Sequence, residues 1–282
     1  MLRSQFSLSL LSAFGLFSLA CGANTHRGPF EVSKEDVDVE GYVCGGDQGA
    51  VVYYPSNSDN PSPLISFAHG YKAGGDKVDP SYKTLLEGVA SWGYVIIALK
   101  SAPSDFCWQE TDDQIRSMEW IKTSKFADII DYGKKTGLLG HSMGGAATHL
   151  SANNADAVTA YNIGAAVALH PVYVAGSSKI PILYGTGSND TVLPPSSVKP
   201  QYDATQGVAK VYANIEGATH FEPNTVPPNR WTDYTKAFFD CHLSDSEEGC
   251  NVIFGSGENS LCSGEVAMTE CIFDGAPSSQ DN

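Results

Sequence analysis

Short, almost wholly apolar runs recur along the chain, separated by longer stretches in which apolar residues return every three or four positions. The runs are "GAVVYY" (49–54), "LISFA" (64–68), "YVIIAL" (94–99), "TGLL" (136–139), "IGAAVAL" (163–169), "IPILYGT" (180–186) and "AKVYANI" (209–215). They are short for core helices, and their unbroken apolarity suits strands covered on both faces. Between them, Tyr82, Leu85, Leu86 and Val89 mark an amphipathic helix over 81–92, stopped by Gly93. Thr111 and Gln114 have the spacing of a capping box, opening a helix that carries Ile115, Met118 and Ile121. Further helices are expected over 143–153 (Ala146, Ala147, Leu150) and 230–240 (Trp231, Tyr234, Phe238). Strands alternating with helices predict an α/β fold: a mostly parallel central sheet with helices on both faces.

One junction breaks the pattern. In "TGLLGHSMGGAATHL" (136–150), Gly140, Gly144 and Gly145 suit neither a strand nor a helix interior. Gly140-His141-Ser142-Met143-Gly144 fits G-x-S-x-G at a strand-to-helix turn. Such a turn lifts the Ser142 hydroxyl above the carboxyl edge of the sheet. It also puts the Met143 N–H at a helix start, where it can meet an oxyanion. A serine hydroxyl needs a base, and seven histidines compete for that role. His26 lies near the start, His242 in a cysteine-rich tail, and His149 two helical turns beyond the serine. His141 precedes the turn and is expected to point away as a packing residue. His69 and His170 each end a strand on the active edge and are expected to wall a pocket. His220, in "EGATHFEPN", follows the last strand and takes the base's place in a Ser–Asp–His order. The acid should follow a strand between the two. "ILYGTGSNDTVLP" (182–194) supplies Asp190, whereas Asp203 falls in a helical stretch. A second oxyanion donor is expected in the loop "ISFAHGYKAGG" (65–75), at the Tyr71 N–H.

These residues carry a resemblance. The chain resembles the α/β-hydrolase esterases of the cutinase and PET (polyester) hydrolase type, near the dienelactone-hydrolase group. The likeness runs from about residue 40 to 240, through "GHSMGG" (140–145), "NDTVLP" (189–194), "IEGATHFEPN" (215–224), "GY" (70–71) and "VASWGYVI" (89–96). It implies the α/β-hydrolase fold with catalytic Ser142, Asp190 and His220, and oxyanion donors at Met143 and Tyr71. It also implies a substrate cleft walled by Tyr71. Val172 stands where the family often has a tryptophan, with Tyr173 next to it; these two, Tyr71 and His69 form the expected substrate-binding set. Lys72 replaces a small hydroxyl residue, and the tail beyond 241 is longer than in the bacterial polyester hydrolases.

Charge and cysteines narrow the setting. The formal charge of −15 over 282 residues leaves no basic face for nucleic acid or an anionic membrane. Arg3 precedes an apolar run ending in small residues, so 1–23 read as a secretory signal peptide. Cys21 raises a lipid anchor, but Ser18 stands where an aliphatic residue would be expected. Six cysteines then remain (44, 107, 241, 250, 262, 271), an even number suited to disulfides in an oxidising compartment. Their pairing is open. The expected plan is a signal (1–23), a catalytic domain (24–240) and a disulfide-rich extension (241–282) packed on it. No insertion between 170 and 190 is long enough for a large lid.

The leading expectation is a secreted, monomeric serine esterase acting through an acyl-enzyme on a neutral ester, small or polymeric. No metal or cofactor is expected. A chlorophyllase-like or small-ester esterase and a non-catalytic binding module on the same fold are the alternatives.

Overall fold

The computed structural model describes residues 27–45, 49–102, 106–224 and 229–275. The signal segment, Cys21 and His26 lie outside them. Among the described residues nine strands form one sheet in the order β1-β2-β4-β3-β5-β6-β7-β8-β9. The strands are β1 (Val32–Asp38), β2 (Gly49–Pro55), β3 (Leu64–Ala68), β4 (Val95–Leu99), β5 (Thr136–His141), β6 (Ile163–Leu169), β7 (Ile182–Gly187), β8 (Lys210–Ile215) and β9 (Met268–Asp274). β3 to β8 run parallel; β1, β2 and β9 pair antiparallel. This is the α/β-hydrolase sheet, with every side chain of β3 and β4 buried, as their apolar runs require.

Two cores flank the sheet. On one face α1 (Val78–Ala90) and α6 (Trp231–Leu243) bring Tyr82, Leu85, Val89, Trp231 and Phe238 against Ile65, Phe67 and Leu139. On the other, α2 (Glu110–Ile121), α3 (Met143–Asn153) and α5 (Pro195–Ala204) pack Met118, Ala147 and Tyr202 on Val95, Leu138 and Tyr184. Alternate residues of each parallel strand serve opposite cores, as the two-residue strand period dictates. Two further short α-helices among the described residues are α4 (Ala155–Ala160) and α7 (Glu247–Phe254).

The order β4-β3-β5 sets the position of the site. The chain winds one way from β3 to β4 and the other way onto β5, so the loops leaving β3 and β5 part and open a crevice at their carboxyl ends. Those loops hold Gly70-Tyr71 and Ser142.

The helix predicted from Thr111 differs at its start. It begins at Glu110 with Gln109 at the N-cap and no side-chain cap, and Thr111 Oγ1 has no partner. Gln114 is buried instead. Its amide nitrogen donates to Ser66 O, Leu139 O and Thr148 Oγ1, and its oxygen accepts from Ser151 Oγ. A buried amide that meets four partners in the core outweighs one capping bond near the surface.

The cysteines pair as Cys44–Cys107, Cys241–Cys250 and Cys262–Cys271. The first closes 63 residues and packs beside Met143, next to the serine turn. The last ties β9 to the segment before it, and the described part of the tail joins the sheet as a strand despite its weak apolar pattern.

Opening the Cys44–Cys107 loop by the double change Cys44→Ser, Cys107→Ser should cost about 4 kcal/mol of unfolding free energy by loop-closure entropy, read by denaturant titration. Stability should also fall on acidification. Burial pushes both His149 and His242 down to about 4, so between their ordinary value near 6.5 and pH 4 the unfolded chain binds protons that the folded one refuses. Urea midpoints should therefore drop across that window, and His149→Phe should flatten the slope.

Candidate active site

Ser142 stands between β5 and α3 with φ 57° and ψ −115°, a left-handed conformation that most residues avoid. Its neighbours make the turn fit. A Cβ on Gly140 would overlap Gly144 O and Thr148 Oγ1, and one on Gly144 would overlap the Ala68 carbonyl. The amide of Ser142 donates to Leu169 O, and that of Gly144 to His69 O, so the turn is bound to the strands on either side. Met143 opens the first turn of α3, where backbone N–H groups have no partner within the helix.

Around this turn the structure brings together the three residues singled out from the sequence. His220 Nε2 lies 3.0 Å from Ser142 Oγ, and His220 Nδ1 lies 2.8 Å from Asp190 Oδ2. With Asp190 ionised, Nδ1 carries the proton donated to it and Nε2 is left to accept from the serine hydroxyl. Asp190 Oδ1 accepts the Val192 and Leu193 amides at 2.9 and 2.7 Å. Burial alone would raise its pKa. The hydrogen bonds from His170, His220 and the Leu193 amide outweigh burial and hold the carboxyl well below the usual carboxylate range.

The loop after β3 abuts the serine. Gly70 leaves little room for a side chain: a Cβ there would lie 3.2 Å from Ser142 Cβ and 3.0 Å from His141 Nδ1. Ala73 N donates to Gly70 O at 3.0 Å, a tight turn that carries Tyr71 at its outer face, 48% exposed, with the Lys72 ammonium 5.1 Å from its ring centre. Val172 N donates to Ser142 O at 3.0 Å, and Tyr173 beside it is exposed.

Two histidines lie elsewhere than the pattern suggested. His69 was expected at the cleft, but it is fully buried beneath the loop, with Nδ1 2.9 Å from Gly70 O and Nε2 2.5 Å from Ser101 O. It holds the loop from below and does not reach the surface. His170 was also expected as a pocket wall. It too is fully buried, and its Nδ1 lies 2.8 Å from Asp190 Oδ2, behind the acid.

His141 has a larger part than packing. Gly70 N donates to Tyr82 Oη, Tyr82 Oη–H to His141 Nδ1, and His141 Nε2–H to the His220 carbonyl, each at 2.8 Å. That chain ties the β3 loop to the histidine loop. Burial, and then the neighbouring His220 and His170 rings, push the His141 pKa well below the ordinary value, so the ring stays neutral in that role. Sequence periodicity carries no signal for it, because Tyr82 and His141 are 59 residues apart.

Exposed aromatics not singled out from the sequence rim the same edge. Phe106 and Trp108 flank Cys107 with their rings 4.6 Å apart, Tyr71 lies 6.3 Å from Phe106, and Phe221 lies 5.4 Å from His220. The pair of aromatics around a cysteine was the available clue. Among the described residues, the metal-binding atoms that converge are those of His170, Asp190 and His220, within 4.8 Å of one another. Each is already engaged with the others, so a cation there would have to displace both imidazole protons held by Asp190.

The family model described as PETase, PET hydrolase-like, matches residues 20–264. Cutinase 1 of Thermobifida cellulosilytica is 29% identical over 213 residues, covering 72% of this chain and 75% of its own length. A cutinase of Thermobifida fusca is also 29% identical over 213 residues, covering 72% of this chain and 65% of its own. The bis(hydroxyethyl) terephthalate hydrolase of Streptomyces coelicolor is 28% identical over 207 residues, covering 71% and 63%. In the last two the match spans less than two thirds of the relative. With an α/β-hydrolase sheet beneath this site and a family match over most of its length, the chain belongs to the PET hydrolase-like family of carboxylic-ester hydrolases.

Proposed function

We propose that the chain hydrolyses carboxylic esters through an acyl-enzyme, with Ser142 as nucleophile, His220 as base and then acid, and Asp190 as the residue that orients His220. The observation that carries this reading is the continuous line from Ser142 Oγ to His220 Nε2 and from His220 Nδ1 to Asp190 Oδ2, at 3.0 and 2.8 Å. Ser142 Oγ attacks the ester carbonyl as His220 Nε2 takes its proton. The N–H groups of Met143 and Tyr71 hold the oxyanion as it forms. His220 returns the proton to the leaving alcohol, and water, activated in the same way, frees the acid. Asp190 stays ionised throughout and stabilises the imidazolium. A non-catalytic role for the fold is disfavoured by the intact line of three residues.

The substrate is a neutral ester, and the reading extends to aromatic polyesters. Three features support that extension. The relatives include cutinases and a bis(hydroxyethyl) terephthalate hydrolase. Tyr71, Phe106 and Trp108 form an exposed aromatic row beside the serine. Between β6 (ending at Leu169) and β7 (starting at Ile182) the connection carries no inserted helix that could form a lid over a bulky chain. Val172 and Tyr173 complete the proposed contact surface, with Val172 leaving out the broad aromatic face of a tryptophan. Three disulfides support export to an oxidising compartment; removal of 1–23 as a signal peptide and a monomeric state belong to the same proposal.

Ser142→Ala should lower turnover of a soluble p-nitrophenyl ester roughly 10⁴–10⁶-fold, and a fluorophosphonate probe should label the parent chain at Ser142 but not the variant. Undiminished hydrolysis by Ser142→Ala would remove the mechanism. Replacing Phe106 and Trp108 together by alanine should leave p-nitrophenyl acetate hydrolysis within a few fold. It should cut release of soluble product from a terephthalate polyester film about tenfold or more, since each lost aromatic contact contributes on the order of 1 kcal/mol. Chlorophyll, tested alongside, distinguishes the pigment esterase: a faster rate on it than on the film would redirect the assignment.

A further inference from the structure

Asp190 carries two imidazoles on one oxygen. His220 Nδ1 and His170 Nδ1 each lie 2.8 Å from Oδ2, while Oδ1 takes the Val192 and Leu193 amides. A hydrolytic set of serine, histidine and aspartate needs only the first of these imidazoles. The second is fully buried, at a backbone φ of 46° that histidine rarely adopts, and is pinned by a 2.7 Å bond from its own amide to Gly185 O. Strained, buried polar residues persist where the surrounding structure over-determines them, and they gather at functional sites.

The protonation of His170 follows from its contacts. An ionised carboxylate has no proton to give, so the proton in the His170–Asp190 bond sits on His170 Nδ1. Nε2 has no partner, and a second proton there would be a buried N–H with no acceptor. The ring is therefore a neutral Nδ1–H donor, which agrees with burial pushing its pKa down against the pull of Asp190. The groups around it are accounted for. His141 faces it from the end of β5, with ring centres 6.0 Å apart. His220 lies 5.7 Å away on the loop after β8. Glu222, on that same loop, is paired with Arg230. From α6 the uncharged Trp231 stands edge-on at 6.1 Å.

We propose that His170 is a positioning residue of the hydrolytic site: its Nδ1–H fixes the Asp190 carboxylate from behind and divides the charge on Oδ2, so that Asp190 stabilises an imidazolium at His220 less than an undivided carboxylate would. The consequence is a base that stays unprotonated, and an esterase that keeps turning over, at lower pH than a lone histidine–aspartate pair allows. This rests on the reading of Ser142, His220 and Asp190 as the reacting set.

Two measurements test it. In the ¹⁵N-histidine-labelled chain at neutral pH, long-range ¹H–¹⁵N correlations, assigned by their loss in His170→Asn, should show His170 as the neutral Nδ1–H tautomer. An Nε2–H or doubly protonated ring overturns the proposal. The pH profile of kcat/KM on a soluble p-nitrophenyl ester is the second. His170→Phe, which keeps a ring but no donor, should move the acid limb upward by on the order of half to one pH unit, with the alkaline plateau within a few fold. His170→Asn, which keeps an N–H, should leave the limb near that of the parent. An unmoved limb in a folded His170→Phe, or an equal loss at every pH, means a purely structural role and overturns the proposal. If His170→Phe does not fold, the tautomer and the Asn profile decide: an Asn limb displaced as far as half a unit overturns it. The tautomer is read without turnover, so it is separable from a failure of fluorophosphonate to label Ser142, which would strike the reacting set alone.

Discussion

At Ser142 the backbone is held in a left-handed, sparsely populated conformation, of the kind that costs about 1–3 kcal/mol. Three parallel strands hold it there. β5 delivers it, the end of β6 accepts its amide, and the end of β3 accepts the Gly144 amide two residues on. The glycines at 140 and 144 are consequences of that packing, since a Cβ at either would enter a neighbouring carbonyl. Because β3 and β5 are adjacent although β4 lies between them in sequence, the loop leaving β3 is brought against the serine. The serine turn, the β3 loop that abuts it and the crevice between them follow from one strained residue and one reversal of strand order.

Around that point the polar groups form two linked networks. One runs from Gly70 through Tyr82 and His141 to the His220 carbonyl and fixes the two loops relative to each other. The other converges on Asp190, whose two oxygens take four donors. Buried polar networks are favourable only when they are satisfied, and the carboxylate here is saturated. The site is stiff at its floor and open at its rim, where Tyr71, Phe106, Trp108 and Phe221 stay exposed. A rigid floor suits preorganised charge stabilisation, and an open apolar rim suits a substrate too large to be enclosed.

The expectations that failed share a cause. Thr111 and Gln114 have the spacing of a capping box, yet Gln114 bonds across the core to β3, β5 and α3. His69 and His170 end strands on the active edge, yet both turn inward. His141 precedes the turn as expected, but its ring supports the loop of His220. Each is a polar side chain with a local role available and a stronger, distant partner supplied by the fold.

The sequence by itself determined the parallel α/β sheet, the turn at Ser142, and the order of serine, acid and histidine. Those rest on local rules: strand and helix periodicity, glycine at tight turns, and position after a strand. Only the tertiary structure decided the pairing of six cysteines, the incorporation of the tail as β9, the aromatic row from Tyr71 to Trp108, and the second imidazole on Asp190. The Cys44–Cys107 bridge spans 63 positions and the His170–Asp190 bond 20, and even the two disulfides that span nine had other cysteines to choose from. Which of several chemically equivalent partners meet at that range is settled by how the layers pack, because a buried donor takes whichever acceptor the packing brings within 3 Å or so of it.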